Sequence, residues 1–97
     1  MDVRIDIDGQ GFVWDEAKAD ANVRKHGVRF EEAATVFFDP LFVVVDASRN
    51  DEARRAVIGF DAHARLLYVV HVDIVDGALR LISARRATRD EEARYAE

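Results

Sequence analysis

The second half of the chain contains four short apolar segments joined by short connections, and this pattern constrains the fold most. Each segment has the length and the β-branched composition of a strand, and together they cover residues 41–46, 54–60, 65–74 and 78–85. Asp76 and Gly77, between the last two, tolerate the positive φ angles of a tight hairpin. Consecutive strands with short connections pair antiparallel. The sequence therefore predicts an antiparallel meander, with the apolar face of its third strand formed by Leu66, Tyr68, Val70 and Val72.

The first half of the chain carries two helical patterns. Asp15 can cap a helix over 16–26, because its carboxylate accepts hydrogen bonds from the free N–H groups of the first turn. Gly27 follows at the position where a left-handed C-cap often stands. A second short helix is expected over 30–38, where apolar residues recur at helical spacing.

The two ends of the chain add further elements. Residues 1–11 alternate acidic and apolar side chains, which predicts an extra N-terminal strand or extension. It is either joined by a turn to a second short strand over 12–14 or continuous with it as one bent strand. Thr88 and Glu91 have the spacing of a capping box for a C-terminal helix. The sequence therefore predicts an α+β fold, with an antiparallel sheet of about four to five strands and the helices on one side.

Length and composition limit the classes of function. A chain of 97 residues buries one modest core, so a single domain over 1–97 is expected. It has no cysteine, which excludes disulfides and thiolate metal sites. No apolar run approaches the roughly 18 residues of a membrane helix, and the N-terminus lacks the pattern of a signal peptide. We therefore expect a cytoplasmic protein with no membrane partner.

The charge is negative overall but unevenly distributed. The net charge of −5 disfavours a broad basic surface for nucleic acid. Residues 1–48 hold five Lys or Arg against ten acidic residues, whereas 49–94 hold nine Arg against eight. Arg offers a planar fork of donors that matches phosphate or carboxylate. The second half thus has either a phosphate-binding cluster or ordinary surface salt bridges.

A series of short motifs resembles one family when their order and spacing are considered together. The motifs are Trp14-Asp15-Glu16-Ala17-Lys18, Asn22, Lys25-His26-Gly27-Val28, Phe30-Glu31-Glu32-Ala33, Val36-Phe37-Phe38-Asp39, Glu52 with Arg54, Gly59, Arg65-Leu66-Leu67, Gly77, Ile82-Ser83-Ala84-Arg85-Arg86-Ala87 and Tyr95. Over about residues 12–96 they resemble the BrnT family, the toxin half of a type II toxin–antitoxin pair. The resemblance implies a RelE-like fold and a ribonuclease that inhibits translation.

The same resemblance implies the partners. It implies RNA as substrate and a ribbon-helix-helix antitoxin, BrnA, which neutralises the toxin. Operator DNA would be bound only through the complex with the antitoxin, and the toxin would form a homodimer or a heterotetramer with it. No cofactor is implied.

Metal-free RNA cleavage needs a base for the 2′-OH, cations for the charge on the phosphorane and an acid for the leaving 5′-oxygen. The candidates for these roles are Lys25, His26, Arg54, Arg85, Arg86 and Tyr95. His26, His63 and His71 are scattered without the spacing of metal ligands, so we expect no metal site.

Arg85 and Arg86 end the last predicted strand. Neighbouring strand residues point to opposite faces, so only one of the two can face a given surface. The functional role is a phosphate clamp, and the alternative is a salt bridge from one of them to Glu52 or Glu92. Strict alternation places Arg85 on one face with Leu79, Leu81 and Ser83.

The other candidates also have interpretations without catalysis. Lys25 and His26 lie at a helix C-terminus, where the dipole favours cations in any case. Arg54 can pair with Glu52 at the surface. Tyr95 can pack in the core or at the antitoxin interface. The nuclease interpretation further requires Arg54 and the Lys25–His26 pair to lie close to the two adjacent arginines.

The chain departs from the family pattern at three places. Ala64 stands where a glycine is usual, and Arg29 where a polar N-cap is usual. Residues 72–75 are apolar or acidic where the family often carries polar and basic residues. The lack of basic side chains at residues 72–75 removes positive charge near the expected RNA face. The alternative function is therefore a catalytically weak or inactive binding module that acts with its antitoxin in operator binding and autorepression.

Overall fold

The computed structural model describes residues 1–48, 52–74 and 76–96, and within them the chain forms six strands and three α-helices. The elements in chain order are β1 (Asp2–Ile7), β2 (Gln10–Asp15), α1 (Glu16–His26), α2 (Phe30–Ala33), a 3₁₀ helix (Ala34–Phe38), β3 (Val43–Asp46), β4 (Arg55–Phe60), β5 (Leu66–Asp73), β6 (Leu79–Arg86) and α3 (Arg89–Tyr95). The α+β class is confirmed. None of these helices is long and apolar enough to span a bilayer.

The helical predictions hold best where a capping residue marks the end. Asp15 accepts a hydrogen bond from the backbone N–H of Lys18, and Gly27 takes the left-handed C-cap conformation, so α1 has the predicted bounds. The predicted helix over 30–38 is instead a four-residue α-helix that tightens into the 3₁₀ helix.

The sheet is mixed rather than fully antiparallel, and it has more strands than predicted. Its order is β1-β2-β6-β5-β4-β3, and β2 and β6 pair in parallel while all other described neighbours pair antiparallel. Asp8 and Gly9, both at positive φ, form the turn that separates β1 from β2. Short connections predict only how consecutive strands pair. β2 and β6 are far apart in the chain, and the long crossover between them allows them to pair in parallel.

One face of the sheet, here called the core face, packs against α1, α2 and the 3₁₀ helix. The buried cluster on this face is Phe12, Trp14, Val28, Phe30, Ala33, Ala34, Val36, Val57, Leu67, Val69, Leu81 and Ala84. In β5, Leu67, Val69 and His71 are buried, whereas Tyr68 and Val70 are half-buried on the opposite, open face. The predicted apolar face of β5 is therefore not its core face. Both faces of this strand are largely apolar, so alternation alone cannot identify the core face.

A β-bulge in β6 decides which side chains reach the open face. Val70 pairs with Ser83 and His71 with Leu81, which leaves Ile82 as an extra residue. The bulge reverses the alternation, so Leu81 is buried in the core while Ser83 and Arg85 face the open side. The prediction that Arg85 shares a face with Leu79 and Leu81 is therefore wrong.

Asn22 attaches α1 to β6. Its Nδ2 donates to the carbonyl oxygens of Ala84 at 2.9 Å and Val28 at 3.0 Å, and its Oδ1 accepts from the Ala84 N–H at 3.1 Å. The described pairing between β2 and β6 covers only Phe12–Leu79 and Val13–Arg80. The buried amide thus satisfies backbone groups of β6 beyond the end of that pairing.

α3 lies over the open face, so the prediction that all helices pack on one side is wrong for this element. Its N-terminus has the predicted capping box, with Thr88 and Glu91 bonded reciprocally. None of its seven residues, all of them described, is buried. Polar contacts fix its position: Glu91 pairs with Arg85, and the Tyr95 hydroxyl donates to Asp39 at 2.7 Å.

Candidate functional site

Arg54 and Arg85 line the same cavity on the open face, here called the face cavity. Its volume is about 380 Å³, and its lining residues are Ala47, Ser48, Arg54, Tyr68, Val70, Ser83 and Arg85. The depression forms because a row of small or medium side chains, Ala56, Val70 and Ser83, crosses β4, β5 and β6 at this level. The next row is bulkier, and two of its side chains, Tyr68 and Arg85, form one wall.

Arg85 is held rigidly at this wall. Its guanidinium carbon lies 4.4 Å from the centre of the Tyr68 ring, which is a cation–π contact. Nη1 and Nη2 donate to the two carboxylate oxygens of Glu91 at 2.7 and 2.9 Å. This bidentate hydrogen bond lowers the pKa of Glu91 and raises the pKa of Arg85. The fork of Arg85 therefore binds an anion, the carboxylate of Glu91. The partners considered from the sequence were Glu52 and Glu92.

Arg54 enters the face cavity from the loop before β4. Its Nη2 donates to Glu52 at 3.1 Å, so the surface pair expected as the alternative is present. That hydrogen bond lowers the pKa of Glu52. Glu52 is 56% exposed, and exposed ion pairs are typically worth only about 0–1 kcal/mol. A phosphate can therefore compete with Glu52 for this guanidinium.

Lys25 and His26 lie in the last turn of α1, which packs on the core face. They are not among the described residues that line the face cavity, so the expected proximity of this pair to Arg54 and Arg85 is not found. The physical reason is that Asn22 ties α1 to the side of β6 opposite Arg85. Arg86 follows Arg85 in the strand and points away from the open face.

Tyr95 has a structural contact. Its hydroxyl donates to Asp39 Oδ2, which also accepts from the Phe60 N–H at 2.9 Å. This hydrogen bond raises the pKa of Tyr95. The ring packs edge-on against Phe60, with centroids 5.3 Å apart. Tyr95 therefore fastens α3 to the segment after the 3₁₀ helix, and it does not line the face cavity.

Three residues at the site were not identified from the sequence: Tyr68, Ser83 and Glu91. Ser83 belongs to the recognised motif, but its direction depends on the bulge. Tyr68 stands opposite Arg85 only through the register of β5 and β6. Glu91 was assigned to the capping box, and its second role requires α3 to lie on the open face. In the part of the chain that the structure describes, no three His, Asp or Glu side chains are grouped as metal ligands.

Two comparisons identify the relatives of this chain. The family model described as "Ribonuclease toxin, BrnT, of type II toxin-antitoxin system" matches residues 14–91. The 1.1 Å crystal structure of the Brucella abortus ribonuclease toxin, BrnT, matches with a TM-score of 0.61 and 27% sequence identity, over 78% of this chain and 94% of that chain. No curated protein sequence matches. On the strength of a family match that spans most of its length, the chain belongs to the BrnT family of ribonuclease toxins of type II toxin–antitoxin systems.

Proposed function

We propose that the protein is a metal-independent endoribonuclease in which Arg54 and Arg85 bind the phosphate that is cleaved. The observation that carries the proposal is the shared cavity of about 380 Å³, which both arginines line and which lies on the sheet face that α1 and α2 leave uncovered. Cleavage of RNA in this cavity would inhibit translation.

The chemistry follows from the two guanidinium groups. The 2′-oxygen of the RNA attacks the adjacent phosphorus and gives its proton to water, and a 2′,3′-cyclic phosphate forms as the bond to the 5′-oxygen breaks. The phosphorane carries extra negative charge, and fixed cations stabilise it more than the ground state. The fork of Arg85 now holds two carboxylate oxygens of Glu91. Phosphate oxygens have a matching geometry and would take their place.

Tyr68 is our candidate for protonating the leaving 5′-oxygen. It lines the face cavity beneath Arg85. A phenolic hydroxyl gives up its proton more readily than the aliphatic hydroxyls of Ser48 and Ser83, the other hydroxyl groups of the lining. Lys25, His26, Arg86 and Tyr95 stay predictions as catalytic residues, and their alanine variants belong in the same assay.

The test needs a control arginine away from the face cavity, and Arg24, an exposed residue of α1, provides it. We expect Arg54→Ala and Arg85→Ala to reduce cleavage of RNA by about 10²–10³-fold and to abolish growth arrest on expression in bacteria. Arg24→Ala should retain most of both. Arg85→Lys keeps the charge but loses the fork, so its activity should lie between.

Circular dichroism would confirm that each variant is folded. The proposed site is wrong if folded Arg54→Ala and Arg85→Ala proteins still cleave RNA to 2′,3′-cyclic phosphate ends. It is equally wrong if the Arg24→Ala control loses as much activity as they do.

The family implies an antitoxin partner, and we propose that it is a ribbon-helix-helix protein of the BrnA type. The toxin would act in the cytoplasm and bind operator DNA only through this complex, as a homodimer or a heterotetramer with the antitoxin. Co-expression of the two reading frames and light scattering on the purified complex would give the stoichiometry.

One observation favours the alternative of a binding module with little catalysis. Both arginines of the face cavity already pair with carboxylates, Glu52 and Glu91, and the net charge is −5. If the folded protein cleaves no RNA while its antitoxin complex still binds operator DNA, this alternative is correct.

A further inference from the structure

A second cavity lies at the end of the sheet where β3 ends, β4 begins and β5 ends, and we call it the end cavity. Its volume is about 340 Å³, within the roughly 300–1,000 Å³ typical of small-molecule sites. Its lining residues are Val44, Val45, Asp46, Ser48, Ala53, Arg54, Arg55, His71, Val72 and Asp73. Arg54 and Ser48 line the face cavity as well. The two cavities therefore adjoin each other, with Arg54 between them.

The chemistry of the end cavity differs from that of the face cavity. Three valines and Ala53 form apolar walls, while Asp46 and Asp73 place carboxylates at the rim. Asp73 Oδ2 lies 3.4 Å from Arg55 Nη1, and its Oδ1 lies 3.9 Å from His71 Nε2. Carboxylates repel a phosphate and accept hydrogen bonds from amino groups. The cavity thus suits the flat apolar faces and the amino edge of a nucleobase.

His71 and Arg54 leave hydrogen-bonding capacity unused beside this cavity. His71 is 4% exposed, and neither its Nδ1 nor Arg54 Nε has a hydrogen-bond partner within residues 1–48, 52–74 and 76–96. Buried polar groups are nearly always paired, so two unpaired groups on residues that line one cavity call for water or a ligand. Burial lowers the pKa of His71. A neutral imidazole presents one donor and one acceptor, which suits the mixed edge of a base better than an anion.

We infer that the end cavity is a base-binding subsite for a nucleotide adjoining the cleaved phosphate, and that it prefers a base with an exocyclic amino group over uracil. This inference rests on the proposed phosphate site. A phosphate held between Arg54 and Arg85 has the end cavity on its Arg54 side, where the attached nucleoside would lie. Asp46 or Asp73 would then accept from the amino group, and the valines would contact the face of the base.

Cytidine 3′-monophosphate and uridine 3′-monophosphate provide a matched pair, because cytosine carries an amino group where uracil carries a carbonyl. Each is titrated into the full-length protein, alongside inorganic phosphate, and followed by amide chemical shifts in nuclear magnetic resonance. We expect the cytidine nucleotide to bind roughly tenfold more tightly than the uridine nucleotide, since a hydrogen bond to a charged group has about that effect. The amides of Val72 and Asp73 should shift with the cytidine nucleotide and not with inorganic phosphate.

The Asp46→Asn/Asp73→Asn variant tests the carboxylates without altering the core, since both side chains are exposed. Its ratio of cytidine to uridine affinity should fall to about one, while its affinity for inorganic phosphate stays the same or rises. Asp20→Asn, an exposed change on α1, controls for altered charge and should keep the preference. His71→Leu, if folded, should also reduce the preference.

The outcomes separate this inference from the proposed function. Equal affinities for both nucleotides, no higher than for inorganic phosphate, would overturn the base subsite and leave the phosphate site in place. A base preference in a protein that cleaves no RNA would support the subsite and contradict the nuclease. Binding of neither phosphate nor nucleotide would overturn both.

Discussion

Ala64 occupies a backbone position that suits glycine. It lies in the turn between β4 and β5, where its φ is +60° and its N–H donates to the Asp61 carbonyl at 3.0 Å. A left-handed conformation costs a residue with a Cβ atom roughly 1–2 kcal/mol. A glycine at this position, which the resemblance to the family leads us to expect, would avoid this strain.

Replacing Ala64 with glycine should raise the free energy of unfolding by about 1 kcal/mol, because the strain is removed and the added freedom of the unfolded chain offsets only part of the gain. Urea denaturation measures the change. Ala62→Gly, in the same turn but without a positive φ, is the matched control and should be neutral or destabilising. Equal destabilisation of both variants would show that Ala64 is not strained.

At the scale of elements, α3 depends on few contacts. It buries none of its own residues, and its contacts with the rest of the protein include Arg85–Glu91 at one end and Asp39–Tyr95 at the other. The sequence predicts the helix, because Thr88 and Glu91 form a local cap. It does not predict which face the helix covers, because that depends on the direction in which Arg85 leaves the sheet.

Glu91→Gln should therefore lower the free energy of unfolding at neutral pH by about 1 kcal/mol. The hydrogen bond with Arg85 lowers the pKa of Glu91 below its ordinary value of 4.5. The stabilisation is thus fully present above about pH 4.5, and it is lost as the pH falls through the lower pKa that Glu91 has in the folded protein.

Urea unfolding of both proteins between about pH 7 and pH 3 tests this. The difference between them should be constant at the upper end and shrink below about pH 4.5. Glu92→Gln, an exposed neighbour in α3, should show no such pattern. A difference that grows on acidification would contradict the assigned sign.

For the whole molecule, the negative charge limits how RNA can be bound. Two arginines line the face cavity, and the remainder of the chain is acidic overall. Single-stranded nucleic acid loses affinity with salt at a logarithmic slope of about −0.7 per phosphate contact. We therefore expect a shallow slope of about −1.4 for RNA binding.

Fluorescence anisotropy with a labelled 2′-O-methyl RNA, which cannot be cleaved, would measure this slope between about 50 and 200 mM salt. Arg85→Ala should reduce its magnitude by about 0.7. A slope steeper than about −4 would indicate a broad basic surface and contradict the two-arginine site.

The sequence predicted the parts of the fold that depend on local chemistry. Asp15 and Gly27 define α1 within the chain itself, whereas the parallel contact of Phe12 with Leu79 joins residues far apart in sequence. Some of the residues in the candidate site were likewise predicted from the sequence. Which of them meet in space depends on the bulge at Ile82 and on the face that each helix covers, and neither has a signal in the local pattern.

The position of β6 also determines when the face cavity can form. This strand is made after the other five strands, yet it lies in the middle of the sheet, between β2 and β5. Contacts of such long sequence separation form slowly, because a large loop must close first. A nascent chain that has not yet released residues 79–86 lacks the strand that pairs with both β2 and β5. The face cavity, which needs Arg85, is therefore completed only after all the other strands of the sheet have been made.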